Sequence, residues 1–194
     1  MLKITSREFK NAIKDDPSWA KNIKEDFEIT TYCDMDNSKI THLSPHLHFT
    51  GKNSIGAVAS FEWCKNLKVA EGNFTGHVNF SSSGVEKINR EGLKITELSK
   101  SGKAASFFFC LNLKVATGTF PGFVNFKHSY IEKIDKLDIL APTYSKFKAN
   151  FEDCKKLKIN PQIKKLLEPE YQISKDLEKK LLLLIENKET DIKL

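Results

Sequence analysis

The chain has 194 residues, of which 40% are hydrophobic, 10% aromatic and 29% charged. That balance fits one folded domain or a short repeat array and excludes a collagenous or disordered chain. Its 31 basic and 25 acidic residues, net +6, are interspersed, and only Arg7 and Arg90 are arginines, so the charge describes a solvated, mildly basic surface and argues only weakly for nucleic acid.

At the amino terminus Arg7, Glu8, Lys10, Lys14, Asp15 and Asp16 interrupt the stretch in which an apolar signal-peptide core would lie. No apolar run exceeds five residues, as in Leu181 to Ile185, whereas a membrane helix needs roughly 20. These features point to a cytoplasmic protein with no membrane association, and leave export without a cleaved signal open. Residues 6 to 28 carry helical spacing behind a cap: Ser6, then Phe9, Ala12 and Ile13, and after Pro17 Trp19, Ala20 and Ile23. This predicts an amino-terminal helical cap over residues 1–29.

The following segments repeat one another. Ala59-Ser-Phe-Glu-Trp-Cys-Lys-Asn-Leu-Lys-Val69 matches Ala105 to Val115 and Ala149 to Ile159, and between them Val78 to Ile88 matches Val124 to Ile134. A degenerate first copy runs from Cys33 to Leu43. Superposition gives an apolar column (Cys33, Ala59, Val78, Ala105, Val124, Ala149) and a second two residues later (Met35, Phe61, Phe80, Phe107, Phe126, Phe151). A Cys/Ser column follows (Ser38, Cys64, Ser83, Cys110, Ser129, Cys154), then a closing apolar column (Leu43, Val69, Ile88, Val115, Ile134, Ile159).

The Cys/Ser column recurs at spacings of 26, 19, 27, 19 and 25 residues. Long turns add an alternating segment, Leu47-His-Phe49, Leu93-Lys-Ile95 or Leu137-Asp-Ile139, and short turns hold Gly72-Asn-Phe74 or Gly118-Thr-Phe120. A short turn has little room for a helix, so extended or tightly turned backbone is expected there. The periodicity predicts a solenoid of about six turns over residues 30–160, because each unit buries its apolar face only by stacking on neighbours. In strands the first two columns both point inward, and the Cys/Ser column forms a ladder that satisfies backbone groups of the next turn. From Ser174 onward Leu177, Leu181, Leu184 and Ile185 share one helical face, which predicts a carboxy-terminal helical cap within residues 161–194.

The string Phe-x-x-Cys-x-x-Leu-Lys-Val, with Ile55-Gly56 upstream of its first copy, resembles the leucine-rich repeats of the bacterial BspA type. The paired units also resemble uncharacterised bacterial repeat proteins. The resemblance covers about residues 30 to 160. It implies a right-handed leucine-rich-repeat-like β (or α/β) superhelix with a parallel sheet, and an interaction role. The Ile-Pro-x-x-Val segment usual between BspA-type copies is missing, and the turn lengths alternate. Lys- and Ile-rich usage with almost no Arg also points to an AT-rich, bacterial genome.

Residues flanking the second inward column are expected on the solvent face of the sheet. Nearest the ladder these are Asn37, Trp63, Ser82, Phe109, His128 and Asp153, one residue earlier Asp36, Glu62, Ser81, Phe108, Lys127 and Glu152. Neighbouring turns stack at about 4.8 Å, which sets Trp63 and Phe109 roughly 10 Å apart with Ser81 and Ser82 between them. This predicts a binding pocket walled by Trp63, Phe108 and Phe109, floored by Ser82 and rimmed by Glu62, Lys127, His128 and Asp153. Clustered exposed aromatics mark binding surfaces, so the expected function is a non-enzymatic module, a monomer or weak oligomer, that engages a protein partner. The competing structural reading is that a cap or loop covers the rings.

Two further functions stay open: nucleic-acid binding on an edge of Lys65, Lys68, Lys87, Lys114, Lys133, Lys155 and Lys158, and small-ligand or carbohydrate recognition with Trp63 as a stacking platform. Cys64, Cys110 and Cys154 occupy one column two turns apart, about 10 Å, too far for disulfides. With Cys33 they read as buried free thiols, suited to a reducing compartment and poor as nucleophiles. His46 and His48 share a face if Leu47 points inward, and His42 lies near, but a metal site would need a further Cys, Asp or Glu ligand. They read as solvent-facing loop histidines, and no cofactor or metal is expected. No Walker loop, dinucleotide-binding glycine fingerprint or nucleophile elbow occurs.

Overall fold

The computed structural model describes residues 1–140 and 148–158. Strand β1 (Leu2–Ile4) leads into helix α1 (Ser6–Asp15). A capping box starts the helix: Thr5 Oγ1 accepts from the Glu8 N–H, and the Glu8 carboxylate accepts from the Thr5 N–H at 2.6 Å. Phe9 and Ile13 form its buried face. Beyond Pro17 the expected second helical stretch is only a single 3-10 turn, Trp19–Asn22. There Asp16 Oδ1 takes up the Ser18 N–H and hydroxyl, a local bond that competes with helix propagation. β2 (Phe27–Ile29) follows. Neither β1 nor β2 is announced by the sequence, since three residues carry no readable alternation.

The chain then forms β3 (Cys33–Asp34), β4 (Leu47–Phe49), β5 (Ala57–Ser60), β6 (Val69–Phe74), β7 (His77–Asn79) and β8 (Lys87–Ile95). It continues through β9 (Lys103–Ser106), β10 (Val115–Phe120), β11 (Phe123–Asn125), β12 (Lys133–Ile139) and β13 (Ala149–Asn150). One sheet holds β13-β11-β9-β7-β5-β3, a second β1-β2-β4-β6-β8, and β10 pairs with β12. Every strand pairing among the described residues is parallel. The protein is thus mostly parallel β-sheet with a single α-helix among the described residues. None of these residues forms a helix long and apolar enough to cross a membrane.

The sequence repeat and the register of the six-stranded sheet coincide. Cys33 pairs with Ala59, Ala59 with Val78, Val78 with Ala105, Ala105 with Val124 and Val124 with Ala149. All six are buried, as are Met35, Phe61, Phe80, Phe107, Phe126 and Phe151. The five phenylalanine rings stack in a file with centroids 5.2 to 5.5 Å apart, a spacing at which offset aromatic pairs add to their area burial.

The Cys/Ser column is a hydrogen-bonding ladder. Cys64 Sγ donates to Met35 O at 3.1 Å, Cys110 Sγ to Phe80 O at 3.1 Å, Ser129 Oγ to Phe107 O at 2.6 Å and Cys154 Sγ to Phe126 O at 3.0 Å. Each bond reaches a carbonyl just past the end of a neighbouring strand of the six-stranded sheet. Ser129 Oγ also accepts from the Cys110 N–H at 3.2 Å. Ser129→Ala removes both bonds and leaves the Phe107 carbonyl and the Cys110 N–H only their 3.3 Å bond to each other, so a loss of about 1–2 kcal/mol is expected in urea unfolding. A loss below about 0.5 kcal/mol, the level of an ordinary surface change, would refute the ladder's structural role.

The closing column needs correction. Val69 and Val115 are only half-buried and pair with Lys87 and Lys133, whereas Ala70 and Ala116 face inward beside Ile88 and Ile134. Turns carrying Cys hold one residue more (Cys64 to Leu67, Cys110 to Leu113) than turns carrying Ser (Ser83 to Val85, Ser129 to Ile131). An offset of one residue moves the next strand's side chains to the other face. Leu67, Val85, Leu113 and Ile131 are fully buried and constitute a core column that the superposition overlooks. The expected carboxy-terminal cap, Ser174 to Ile185, lies outside the described residues, as does Ile159.

Candidate functional site

The strands of the six-stranded sheet end where a short polar side chain takes over backbone pairing. Asp34, Asn79, Ser106, Asn125 and Asn150 accept from the N–H two residues on, at 2.9 to 3.4 Å. Such Asx and Ser turns compete with further extension. The inward Met or Phe then opens a β-turn, whose closing bond runs from the N–H of the Cys/Ser residue to its carbonyl: Cys64 to Phe61 at 3.2 Å, Cys110 to Phe107 at 3.3 Å.

The third residue of every such turn is left-handed. Asn37, Trp63, Ser82, Phe109, His128 and Asp153 have φ between 56° and 61°. This corrects the expectation that the column lies on the flat face of the sheet. It forms a row of turn tips along the sheet's edge, held together because each N–H continues the ladder, as from Trp63 to Ser81 O at 3.1 Å and from Phe109 to Lys127 O at 2.9 Å. Asn and Asp tolerate this conformation; for Trp and Phe it is uncommon.

Trp63 and Phe109 are 46% and 41% exposed, so no described segment covers them. Phe108 is half-buried and lies 6.1 Å from Phe109 and 5.4 Å, edge-on, from His128. Lys65 Nζ stands 4.5 Å over the Trp63 ring and donates to Ser82 O at 2.9 Å. Ser82 and Ser81 are buried, and the Ser81 hydroxyl is engaged by Asn79 and Ser106. Ser81, expected between the rings, lines a groove on the sheet face.

Of the expected rim, Lys127 pairs with Glu152 at 2.8 Å and His128 Nδ1 with Asp153 Oδ2 at 3.2 Å. Both pairs lie along the same edge as Phe109. Glu62 lies apart. With Phe108 it lines that same groove, of about 370 Å³, which also presents His77, Lys103, Phe123 and Asn125. The sequence does not single out His77, Lys103 and Phe123, which open β7, β9 and β11 at spacings of 26 and 20 residues, while Asn125, at the end of β11, falls in a column expected on the solvent face.

Three of the seven lysines on the expected edge are engaged: Lys68 meets Glu86 at 2.6 Å, Lys114 meets Glu132 at 3.7 Å, and Lys65 lies on Trp63. Cys33, Cys64, Cys110 and Cys154 are free and buried. Burial pushes the thiols of Cys110 and Cys154 up to about 11, and those of Cys33 and Cys64 also rise, so thiolate is scarce. His46 and His48 do share a face, and Asp26 meets both, at 3.0 and 3.4 Å. Among the described residues no group of three or more His, Cys, Asp and Glu side chains is arranged to hold a metal ion. No family model, curated protein or solved structure matches the chain.

Proposed function

We propose that the protein is a non-enzymatic binding module of a bacterial cell, built as a right-handed solenoid similar to leucine-rich repeats of the BspA type, that engages a protein partner along the edge formed by Trp63, Phe108 and Phe109. One observation carries this reading: two large aromatic side chains stand exposed in a left-handed backbone conformation that Asn, Ser, His and Asp occupy in the other turns. Each costs stability, about 1 kcal/mol, and neither contributes to the core. Large aromatics with that balance are the residue type that anchors interfaces. The solenoid reading is supported by the coincidence of repeat and register, and a reducing cytoplasm agrees with four buried free thiols.

The discriminating variant is Trp63→Asn/Phe109→Asn. Asn is at ease in these turns, so the double variant should unfold at the same denaturant concentration as the parent or a higher one. In a quantitative affinity pull-down it should lose the proteins that the parent retains, by about tenfold or more. Equal retention by parent and variant would defeat the proposal. Nucleic-acid binding is the weaker reading, because Glu86 and Glu132 pair with Lys68 and Lys114 on that edge, and phosphate binding relies on uncompensated cationic charge.

A further inference from the structure

The groove beside the aromatic edge has a chemical bias. Its floor is crossed by parallel strands β7, β9 and β11, in whose register Asn79 pairs with Ser106 and Ser106 with Asn125, while Lys103 pairs with Phe123. Much of its polar lining is satisfied internally: Asn79 Nδ2 donates to Glu62 at 3.1 Å, and Ser81 bonds Asn79 and Ser106. Three donor side chains are not. Among the described residues neither the Lys103 ammonium nor the His77 ring has a hydrogen-bond or ion-pair partner, and Asn125 uses only its carbonyl oxygen, toward the Lys127 N–H. The rings of Phe108 and Phe123 line the same groove.

We propose that this groove seats a carboxylate of the protein partner, an acidic side chain or a free chain end, against Lys103, His77 and Asn125, with an apolar neighbour of that carboxylate between Phe108 and Phe123. The proposal rests on the protein-partner reading above and names the chemistry such a partner presents. Charge complementarity supports it. Lys103 makes no ion pair among the described residues, and Glu62, the carboxylate that also lines the groove, stays charged but is held by Asn79 Nδ2 at 3.1 Å and leaves the Lys103 ammonium open to a ligand. A charged acceptor gains more from these donors than a neutral one does, and a few convergent polar groups between apolar walls are what orient a ligand.

Three small probes test it on the full chain by NMR, read at the Asn125 side-chain amide and the His77 ring. N-acetylphenylalanine stands for a chain end, N-acetylglutamyl-phenylalaninamide for a side-chain carboxylate, and N-acetylphenylalaninamide for the same apolar group without charge. At least one carboxylate probe should saturate both signals at millimolar concentration, about tenfold below the neutral amide, and the tighter of the two identifies the source. Lys103→Met should weaken that probe about tenfold with an unchanged unfolding midpoint, and Lys103→Arg should retain it. Equal binding of the neutral amide, indifference to Lys103→Met, or no shift from any probe up to about 50 mM overturns the proposal. Trp63→Asn/Phe109→Asn should bind the probes normally, so failure of the aromatic edge and failure of the groove give different results.

Discussion

Phe107→Ala should destabilise the protein by about 3–5 kcal/mol, the largest loss expected from any single replacement on the sheet. Phe107 is fully buried and stacks on Phe80 at 5.2 Å and on Phe126 at 5.4 Å, with Phe120 edge-on at 6.4 Å. Removing it interrupts the file at its middle. The adjacent turns cannot close the void, because their spacing is held by backbone bonds such as Phe107 N to Asn125 O at 2.7 Å and Phe80 N to Ser106 O at 2.8 Å. Urea unfolding measures the loss. Phe108→Ala, one residue away but half-buried, should cost no more than about 1–1.5 kcal/mol, and Phe107→Leu should fall between the two. Equal costs at positions 107 and 108 would contradict the inward file on which the assignment of faces depends.

The second large effect is acid sensitivity centred on His77. Burial, and secondarily the charge of Lys103, pushes its imidazole down to about 4 from an ordinary 6.5. Between those values the unfolded chain binds a proton that the folded chain refuses, so stability should fall as pH drops from about 6.5 to about 4 and then level off with respect to this group. The shift corresponds to at most about 3 kcal/mol, less to the extent that the ring reaches water in the groove. His77→Gln should flatten the pH dependence of the unfolding midpoint over that interval. Asp16, Asp26 and Glu28, whose carboxyls hydrogen bonds hold below their ordinary values, lose their contribution at lower pH, so the two effects separate along the titration. A His77→Gln profile parallel to that of the parent would refute the assignment.

Both experiments bear on how much of the molecule was legible beforehand. The inward file could be read because Phe61, Phe80, Phe107 and Phe126 recur with a fixed partner two residues earlier, and parallel stacking leaves no other register in which all of them are buried. The solvent column was misread for a physical reason. Alternation tells which side of a strand a residue occupies, but not where the strand stops. The stop was written in Asp34, Asn79, Asn125 and Asn150, whose short side chains bond the N–H two residues on. As Asx-turn formers they mark the next residues as turns, with Asn37, Ser82, His128 and Asp153 at the left-handed position, and the repeat places Trp63 and Phe109 at the same position after Ser60 and Ser106.

Repeat length, the alternation of cysteine and serine turns, the inward columns and the absence of reactive thiols follow from the amino-acid sequence alone, because a periodic apolar pattern has one efficient way to be buried. Tertiary structure alone decided which exposed groups meet. Lys103, His77, Phe123 and Asn125 share a groove, and the Glu62 side chain lines it too, because register and turn geometry bring separate strands together. The one-residue difference between Cys and Ser turns belongs to the same class. Burial energy sets a periodic core, and backbone hydrogen bonding, which is nearly blind to side-chain identity, sets what stands next to what on the outside.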